Sequence, residues 1–201
     1  ISTPIENALG CIIEEDIISD VDVPSFNRAV MDGYAVCAKD TYDASEIGPV
    51  KLRLTGSIPA GCTDRLSVTE GTTVEIATGA PIPDGADAVV MVEHTEREND
   101  DISVFRPVHT GENTMRAGSD IMRGERVLRK GSRIGSREIG VLSAIGKREV
   151  VTRSIKVGII STGDELVPPG ESLKDGKIYD TNSYALAASV MECGGLPIMY
   201  G

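Results

Sequence analysis

The sequence has little cysteine and histidine, and it has no long apolar run. Its 201 residues include four cysteines and two histidines, and none of the cysteines forms a CxxC pair: Cys11, Cys37, Cys62 and Cys193. These scattered thiols argue against a zinc site and a disulfide framework, and they favour a cytoplasmic protein. No apolar stretch approaches the ~20 residues of a membrane span, and no signal-peptide pattern is present.

Positive charge is also scarce. The chain has 20 basic and 31 acidic residues, which gives a formal net charge of −11. This balance excludes a general affinity for nucleic acid or for an anionic membrane surface. An anionic partner must therefore be held locally, for example by a metal ion or by a few placed arginines.

Up to about residue 150 the apolar residues come in short β-branched bursts separated by turn residues. This pattern predicts strands at 51–55, 73–78, 86–93 and 102–108. The polar residues 98–101 predict a hairpin turn before the last of them. The region is therefore expected to be rich in β-structure.

A short helix is predicted at 136–145, with Ser136 as its N-cap and Gly146 as its end. The segments 1–19 and 126–153, which flank the strand-rich region, are themselves strand-like. We expect them to pair with each other, so that the first domain is discontinuous.

The pattern changes at residue 154. A strand at 155–160, a helix capped by Thr181 or Asn182 and a strand at 196–200 predict one parallel strand–helix–strand unit. Because one such unit cannot bury both faces of a parallel sheet, we expect the chain to stop inside a domain. The chain opens on isoleucine instead of methionine, so residues are also expected before it.

Three glycine-containing segments of the strand-rich region carry candidate functional residues. In PSFNRAVMDGYAV, Asp32 precedes Gly33, which lets the backbone turn sharply; the dipeptide alone favours an ordinary β-turn. In EIATGAPIPDGADAVVMVE, Thr78 offers a hydroxyl beside N–H groups that we expect to be exposed and suited to an oxyanion, although the string alone favours an ordinary rigid loop. In GENTMRAGSDIMRG, Asp120 lies in a turn near Arg116 and is functional only if a cation or metal pairs with it.

A fourth segment, STGDEL at 161–166, follows the first predicted parallel strand. Open α/β sheets bind their ligands at this edge, so position and chemistry both favour a functional role. Asp164 and Glu165 are neighbours and would point to opposite sides of an extended chain, which suits a metal ligand and a polar anchor. Hard oxygen ligands of this kind select Mg²⁺.

These segments, taken in order with GKIYDTN at 176–182, resemble the molybdopterin molybdotransferases, the molybdenum insertases related to the E domain of gephyrin. The resemblance runs through most of the chain. It implies an α+β multidomain fold: a discontinuous small domain at 1–19 and 126–153, an inserted elongated β-rich domain at 20–125, and the beginning of an α/β molybdopterin-binding domain at 154–201. The rest of that domain and a final β domain would lie outside the chain.

The resemblance also implies the site. By motif position, the expected catalytic residues are Asp32, Asp120 and Glu165. Asp164 and Glu165 would hold Mg²⁺. The residues expected to bind substrate are Thr78, Gly79, Ser161, Thr162, Gly163, Asp164, Asp180 and Asn182.

The implied function is molybdenum cofactor biosynthesis: Mg²⁺-dependent insertion of molybdate into adenylylated molybdopterin, with release of AMP. Family members work as homodimers with the site between chains. The alternative is a dimerising scaffold module without catalysis, and the present chain alone is expected to be inactive. Four positions depart from the family pattern and leave substrate contacts open: Asn27, Val30, Met115 and Ser119.

Overall fold

The computed structural model describes residues 1–62, 66–153 and 155–200. The chain forms two compact units, one made of Ile1–Ser19 with Gly124–Gly201 and the other of Asp20–Arg123. We call them the discontinuous unit and the inserted unit. The domain boundaries expected from the sequence stay a prediction, and the one at Ser154, like the end at Gly201, lies outside the described residues.

The inserted unit is built on one six-stranded sheet with the order β8-β5-β7-β6-β10-β9. All its neighbouring strands are antiparallel except β6 and β7, which are parallel. The strands of this unit, including the short pair β4 and β11, are β4 Arg28–Ala29, β5 Gly33–Val36, β6 Val50–Ile58, β7 Thr72–Ile76, β8 Ala88–Met91, β9 Thr95–Glu98, β10 Asp101–Val104 and β11 Thr114–Met115. Two 3-10 helices, Ala38–Thr41 and Val92–His94, complete it.

Apolar side chains pack on both faces of this sheet, in two clusters of buried residues. Leu52 in β6 and Ile102 in β10 are partners across the ladder, and both are buried. Val36 and Val90 pack in the same cluster of buried residues. The four predicted strands are present as β6, β7, β8 and β10, although β8 ends at Met91 and β10 at Val104, before the predicted ends. Burial alternates along β10, whereas all four residues of β5 are buried.

The hairpin predicted at 98–101 is confirmed. Strands β9 and β10 pair antiparallel, with Glu98 opposite Asp101. Asn99 at the tip has a positive φ of 58°. Asparagine tolerates this left-handed conformation better than most residues, which explains why the turn forms there.

The discontinuous unit joins the two ends of its split sequence. Strand β13 lies between β1 and β2 in a three-stranded sheet, and β12 pairs with β3. The predicted pairing of the flanking segments is therefore confirmed. The elements are β1 Ser2–Pro4, a 3-10 helix Ile5–Asn7, β2 Ile12–Ile13, β3 Ile17–Ile18, β12 Arg126–Leu128, α1 Ser136–Ala144 and β13 Glu149–Arg153.

Helix α1 begins one residue earlier than predicted. Its N-cap is Gly135, not Ser136, and the Gly135 N–H donates to the Glu138 carboxylate at 2.9 Å. That acidic side chain occupies the third helical position and satisfies a backbone donor at the helix start, so a serine cap is not needed. Gly146 has a φ of 73° and ends the helix as predicted.

The region after residue 155 contains the predicted strand–helix–strand unit. Strands β14 Lys156–Ile159 and β17 Leu196–Met199 are parallel, and helix α2 Thr181–Glu192 lies between them in sequence. A second parallel pair, β15 Leu166–Val167 with β16 Ile178–Tyr179, was not predicted. The α+β fold class is confirmed.

The cap of α2 differs from the prediction. Asp180, rather than Thr181 or Asn182, is the N-cap, and its carboxylate accepts the Ser183 N–H at 3.1 Å. Aspartate is among the strongest N-cap residues, and its position three residues before Ser183 lets its carboxylate reach this N–H. No helix in the described part of the chain is long and apolar enough to cross a membrane.

Candidate active site

The three candidate segments of the inserted unit converge on one stretch of backbone around residues 23–32. On one side lies the loop that contains Thr78. Gly79 donates its N–H to the Ala29 carbonyl at 2.8 Å, and Ala29 donates to the Ala80 carbonyl at 3.0 Å. This exchange fixes the loop beside the residues that precede Asp32.

The loop that contains Asp120 lies on the other side of the same stretch. The Asp120 N–H donates to the Val23 carbonyl at 2.9 Å, and the Ala117 N–H donates to Asn27 Oδ1 at 2.9 Å. Asn27 stands where the family pattern has aspartate, and its amide oxygen supplies an acceptor as a carboxylate would. This departure therefore has a structural role that the sequence did not indicate.

The Asp32 carboxylate is anchored by Thr78. Oδ1 accepts the Thr78 backbone N–H at 2.7 Å and the Thr78 hydroxyl at 2.9 Å. The N–H bond, followed by the hydroxyl bond, holds the pKa of Asp32 below its usual range although the side chain is exposed. Hydrogen bonds to the charged form favour it, so Asp32 is an ionised carboxylate at neutral pH.

Gly33 is required for a reason other than the predicted turn. It begins β5, its φ is not positive, and it lies opposite Met91 of β8. A Cβ at this position would lie 1.9 Å from the Val90 carbonyl oxygen. Close approach of two strands, and not a sharp turn, therefore explains the glycine beside Asp32.

The exposed N–H groups expected in the Thr78 loop are already used. Thr78 donates its N–H to Asp32, Gly79 donates to Ala29, and Ala80 donates to the Ala77 carbonyl at 3.0 Å. The prediction that these groups are open to an oxyanion was wrong. Hydrogen bonds within the chain satisfy them because the loop is packed on its neighbours.

Asp120 has an exposed side chain in a turn that includes Gly118, whose φ is 74°. In the described residues its carboxylate makes no ion pair with Arg116 or with another cation. Its backbone is nevertheless fixed through Val23, so the carboxylate is presented on an ordered turn. Its functional role stays a prediction.

In the discontinuous unit, most of the other expected site residues line two small adjoining clefts. The larger has a volume of about 400 Å³ and the smaller of about 160 Å³. Polar groups from the loop after β14 and from the start of α2 line them: Ser161, Thr162, Gly163, Asp180 and Asn182. The structure thus brings the two predicted motifs STGDEL and GKIYDTN together.

Asp180 lines both clefts and is buried, and its carboxylate already accepts a hydrogen bond from within the chain. Hydrogen bonds from Ser183, with smaller contributions from Ser161 and Asn182, lower its pKa against the opposing effect of burial. The carboxylate therefore caps the first turn of α2 through the Ser183 N–H. Ser183, three residues after an N-cap aspartate, was missed, although the spacing is typical of a helix start.

Asp164 and Glu165 are exposed and lie outside the lining of the two clefts. Their backbone carbonyls are bonded, Asp164 to the Lys177 ammonium and Glu165 to the Ile178 N–H. Within the described residues, no three His, Cys, Asp or Glu side chains form a group able to hold a metal. The expectation that Asp164 and Glu165 hold Mg²⁺ stays a prediction.

Asp87 was not predicted to have a role. It links separate segments of the inserted unit. Its Oδ1 accepts the Ala38 N–H at 2.7 Å, and its Oδ2 accepts the Thr110 hydroxyl at 2.9 Å. Both oxygens are thus used in scaffolding. The acidic residue of the GADAVV string has a structural role.

Comparison with known proteins gives the family. Residues 1–146 match the family described as the MoeA N-terminal region (domain I and II). The chain is 38% identical over 195 residues to molybdopterin molybdenumtransferase 2 of Mycobacterium tuberculosis, covering 96% of this chain and 48% of that protein. It is 37% identical over 202 residues to the molybdopterin molybdenumtransferase of Bacillus subtilis, covering 98% and 47%.

A solved structure agrees. The crystal structure of the molybdopterin biosynthesis MoeA protein from Pyrococcus horikoshii OT3 superposes with a TM-score of 0.90 and 43% identity, covering all of this chain and 54% of that one. The chain belongs to the MoeA family. It spans about half the length of the curated relatives it matches.

Proposed function

We propose that the chain serves molybdenum cofactor biosynthesis as part of a molybdopterin molybdenumtransferase. In this proposal molybdate is inserted into adenylylated molybdopterin and AMP is released. The sequence similarity to proteins with that name, over 96% of this chain, supports the assignment. The reaction also fits an acidic chain, because its carboxylates can hold the cation that offsets the charge of an anionic substrate.

The observation that carries the proposal is the anchored Asp32. The Thr78 loop bonds directly to its carboxylate and lowers its pKa, and the Asp120 loop bonds to Val23 and Asn27 of the same backbone stretch. A fixed, charged carboxylate can accept a proton from an attacking water or orient a cationic group. Asp120 would add a second carboxylate from the loop on the other side of the same backbone stretch.

The clefts of the discontinuous unit provide the proposed contacts to the small-molecule substrate. Ser161, Thr162 and Asn182 offer hydroxyl and amide groups around a volume of about 400 Å³. Such groups donate to phosphate and hydroxyl oxygens. Asp180 is best assigned to positioning this loop, since its oxygens already accept internal hydrogen bonds.

Mg²⁺ is the proposed metal, and Asp164 and Glu165 would hold it. When bound, Mg²⁺ would offset the charge of the phosphate oxygens and stabilise the leaving AMP. The two side chains are exposed, and neither carboxylate forms an ion pair within the described residues, so their oxygens can coordinate an ion. Two carboxylates are too few to hold the ion alone, which suits a metal completed by substrate and water.

The test is AMP release by the full-length protein that carries this chain. With adenylylated molybdopterin, Mg²⁺ and molybdate we expect turnover, and Glu165→Ala should reduce it by roughly 100-fold or more. Glu98→Ala, at the exposed end of β9, is the matched control and should leave turnover unchanged. Absence of turnover, or equal activity of the two variants, would contradict the proposal.

We also propose a cytoplasmic homodimer in which Asp32 of one copy and Glu165 of the other serve the same reaction. The alternative is a scaffold that dimerises without catalysis. Mixing inactive Asp32→Ala and Glu165→Ala proteins should restore part of the turnover if the copies share a site. A dimer without turnover or complementation would favour the scaffold.

A further inference from the structure

The hydrogen bonds between Thr78 and Asp32 suggest a role for the threonine that the motif pattern does not give. Both polar groups of Thr78, its N–H and its hydroxyl, donate to the same oxygen, Asp32 Oδ1, at 2.7 Å and 2.9 Å. We propose that Thr78 is a positioning residue for Asp32 rather than a substrate-binding residue. The inference rests on the proposed function only for what Asp32 does once it is positioned.

The backbones of both residues are already fixed, so side-chain rotation is the freedom that remains. The Asp32 carbonyl accepts the Val92 N–H at 3.2 Å, and the next residue, Gly33, is paired with Ile76 and Met91 on its two sides. The Thr78 loop is held through Gly79. The two bonds from Thr78 therefore set the orientation of the Asp32 carboxylate on a rigid support.

The hydroxyl of Thr78 has one proton, and it donates this proton in the hydrogen bond to Asp32. A substrate oxygen cannot take the same proton while this bond exists. Threonine also suits a positioning role because its β-branch restricts χ1 and holds the hydroxyl in one direction. A hydroxyl that had to rotate from Asp32 toward a substrate would need a side chain with fewer restrictions on χ1.

The chemical consequence is that the two oxygens of Asp32 become different. Oδ1 is occupied twice, whereas Oδ2 accepts no hydrogen bond from the residues that the structure describes. Oδ2 of the ionised carboxylate can therefore accept a proton or bind a cation, and its position is fixed. Preorganised groups of this kind need little rearrangement when the reaction occurs.

The first arm of the test needs no activity. The Asp32 carboxyl is titrated by carbon-13 NMR in this chain and in Thr78→Val and Thr78→Ser, with Asp32→Asn used to assign the signal. We expect Thr78→Val to raise the pKa of Asp32 by removing one donor, and Thr78→Ser to keep it close to that of the unmodified chain. Thr110→Val, which removes a hydroxyl bonded to the Asp87 carboxylate, is the control and should not move the Asp32 signal.

The second arm uses the full-length protein. Thr78→Val should lower kcat by about tenfold or more, as loss of a partner that orients a functional group commonly does, and leave KM nearly unchanged. Thr78→Ser should recover most of the loss. An unchanged Asp32 titration in Thr78→Val, or a raised KM with unchanged kcat, would overturn the inference. If the unmodified protein shows no turnover, the proposed function fails, and the NMR arm alone decides whether Thr78 positions Asp32.

Discussion

At the scale of single residues, Gly33 and Thr78 show how distant parts of the chain determine the environment of Asp32. The partners of Gly33 are in β7 and β8, and Thr78 is 46 residues from Asp32 along the chain. Neither contact leaves a local sequence signal. The family resemblance singled out Asp32, and its functional role stays a prediction. The string MDGYAV alone favoured a turn, the commonest use of Asp-Gly, and gave the wrong reason for the glycine.

Gly33→Ala should destabilise the inserted unit. The new Cβ would lie 1.9 Å from the Val90 carbonyl oxygen, so β5 and β8 must separate. We expect a loss of roughly 2 kcal/mol or more in the free energy of unfolding, measured by urea denaturation. Gly140→Ala in α1, where a Cβ meets nothing within 4 Å, is the control and should stabilise the chain by about 0.5–1 kcal/mol. Equal effects of the two variants would contradict the steric argument.

Asp180→Ala should loosen the start of α2. The substitution removes the acceptor of the Ser183 N–H. We expect amide hydrogen exchange in the first turn of α2 to become up to about tenfold faster, whereas Asp180→Asn should be close to the unmodified chain because asparagine caps equally well. If Asp180→Ala left exchange unchanged, the capping role would be wrong.

At the scale of elements, the sequence predicted both helices and four strands of the inserted unit, located their ends less well, and missed β5 and the pair β15 and β16. The strands near 51–58 and 101–104 and the helix near 136–144 follow from residue periodicity, which is a local property. Caps were missed at Gly135 and Asp180 because several neighbouring polar residues compete for the same role. The choice depends on which side chain reaches a free N–H, and that is decided by the fold.

The paired ends of the discontinuous unit are linked by charges around Glu14. Its carboxylate accepts two hydrogen bonds from Arg153, at 2.6 Å and 2.8 Å, and lies 3.1 Å from the Lys130 ammonium. Hydrogen bonds from Arg153, followed by those from Lys130, lower the pKa of Glu14 from 4.5 to about 2. Residues from before and after the inserted unit thus meet at one carboxylate.

This cluster predicts a pH dependence of stability. Because the pKa of Glu14 is lower in the folded state, its contribution is present above pH 4.5 and is lost as the pH falls toward 2. Glu14→Gln should therefore show a shallower loss of stability across this window in urea denaturation at stepwise pH. The exposed neighbour Glu15, changed to Gln, is the control and should follow the unmodified chain. Identical slopes for all three proteins would refute the assignment.

At the scale of the whole molecule, the inserted unit and residues 155–200 differ in how many apolar side chains they bury. The inserted unit contains two clusters of buried apolar residues around its six-stranded sheet. In the described residues of 155–200, Ile159 is the one buried hydrophobic residue, whereas Leu186 and Met191 of α2 remain more than half exposed. A single parallel strand–helix–strand unit cannot bury both faces, so this part of the chain has little core of its own.

This difference in apolar burial predicts which part of the chain unfolds locally first. Amides of β14, β17 and α2 should exchange with solvent at least about tenfold faster than those of β5 and β7, because opening them exposes little apolar surface. Native-state hydrogen exchange of this chain measures both sets at once, and the buried strands serve as the internal reference. Equal protection of the two sets would mean that hydrogen bonds and charges stabilise the strand–helix–strand unit without a core. In that case the clefts that contain Ser161 and Asn182 would be rigid before any ligand binds, whereas fast exchange would leave ligand binding to order them.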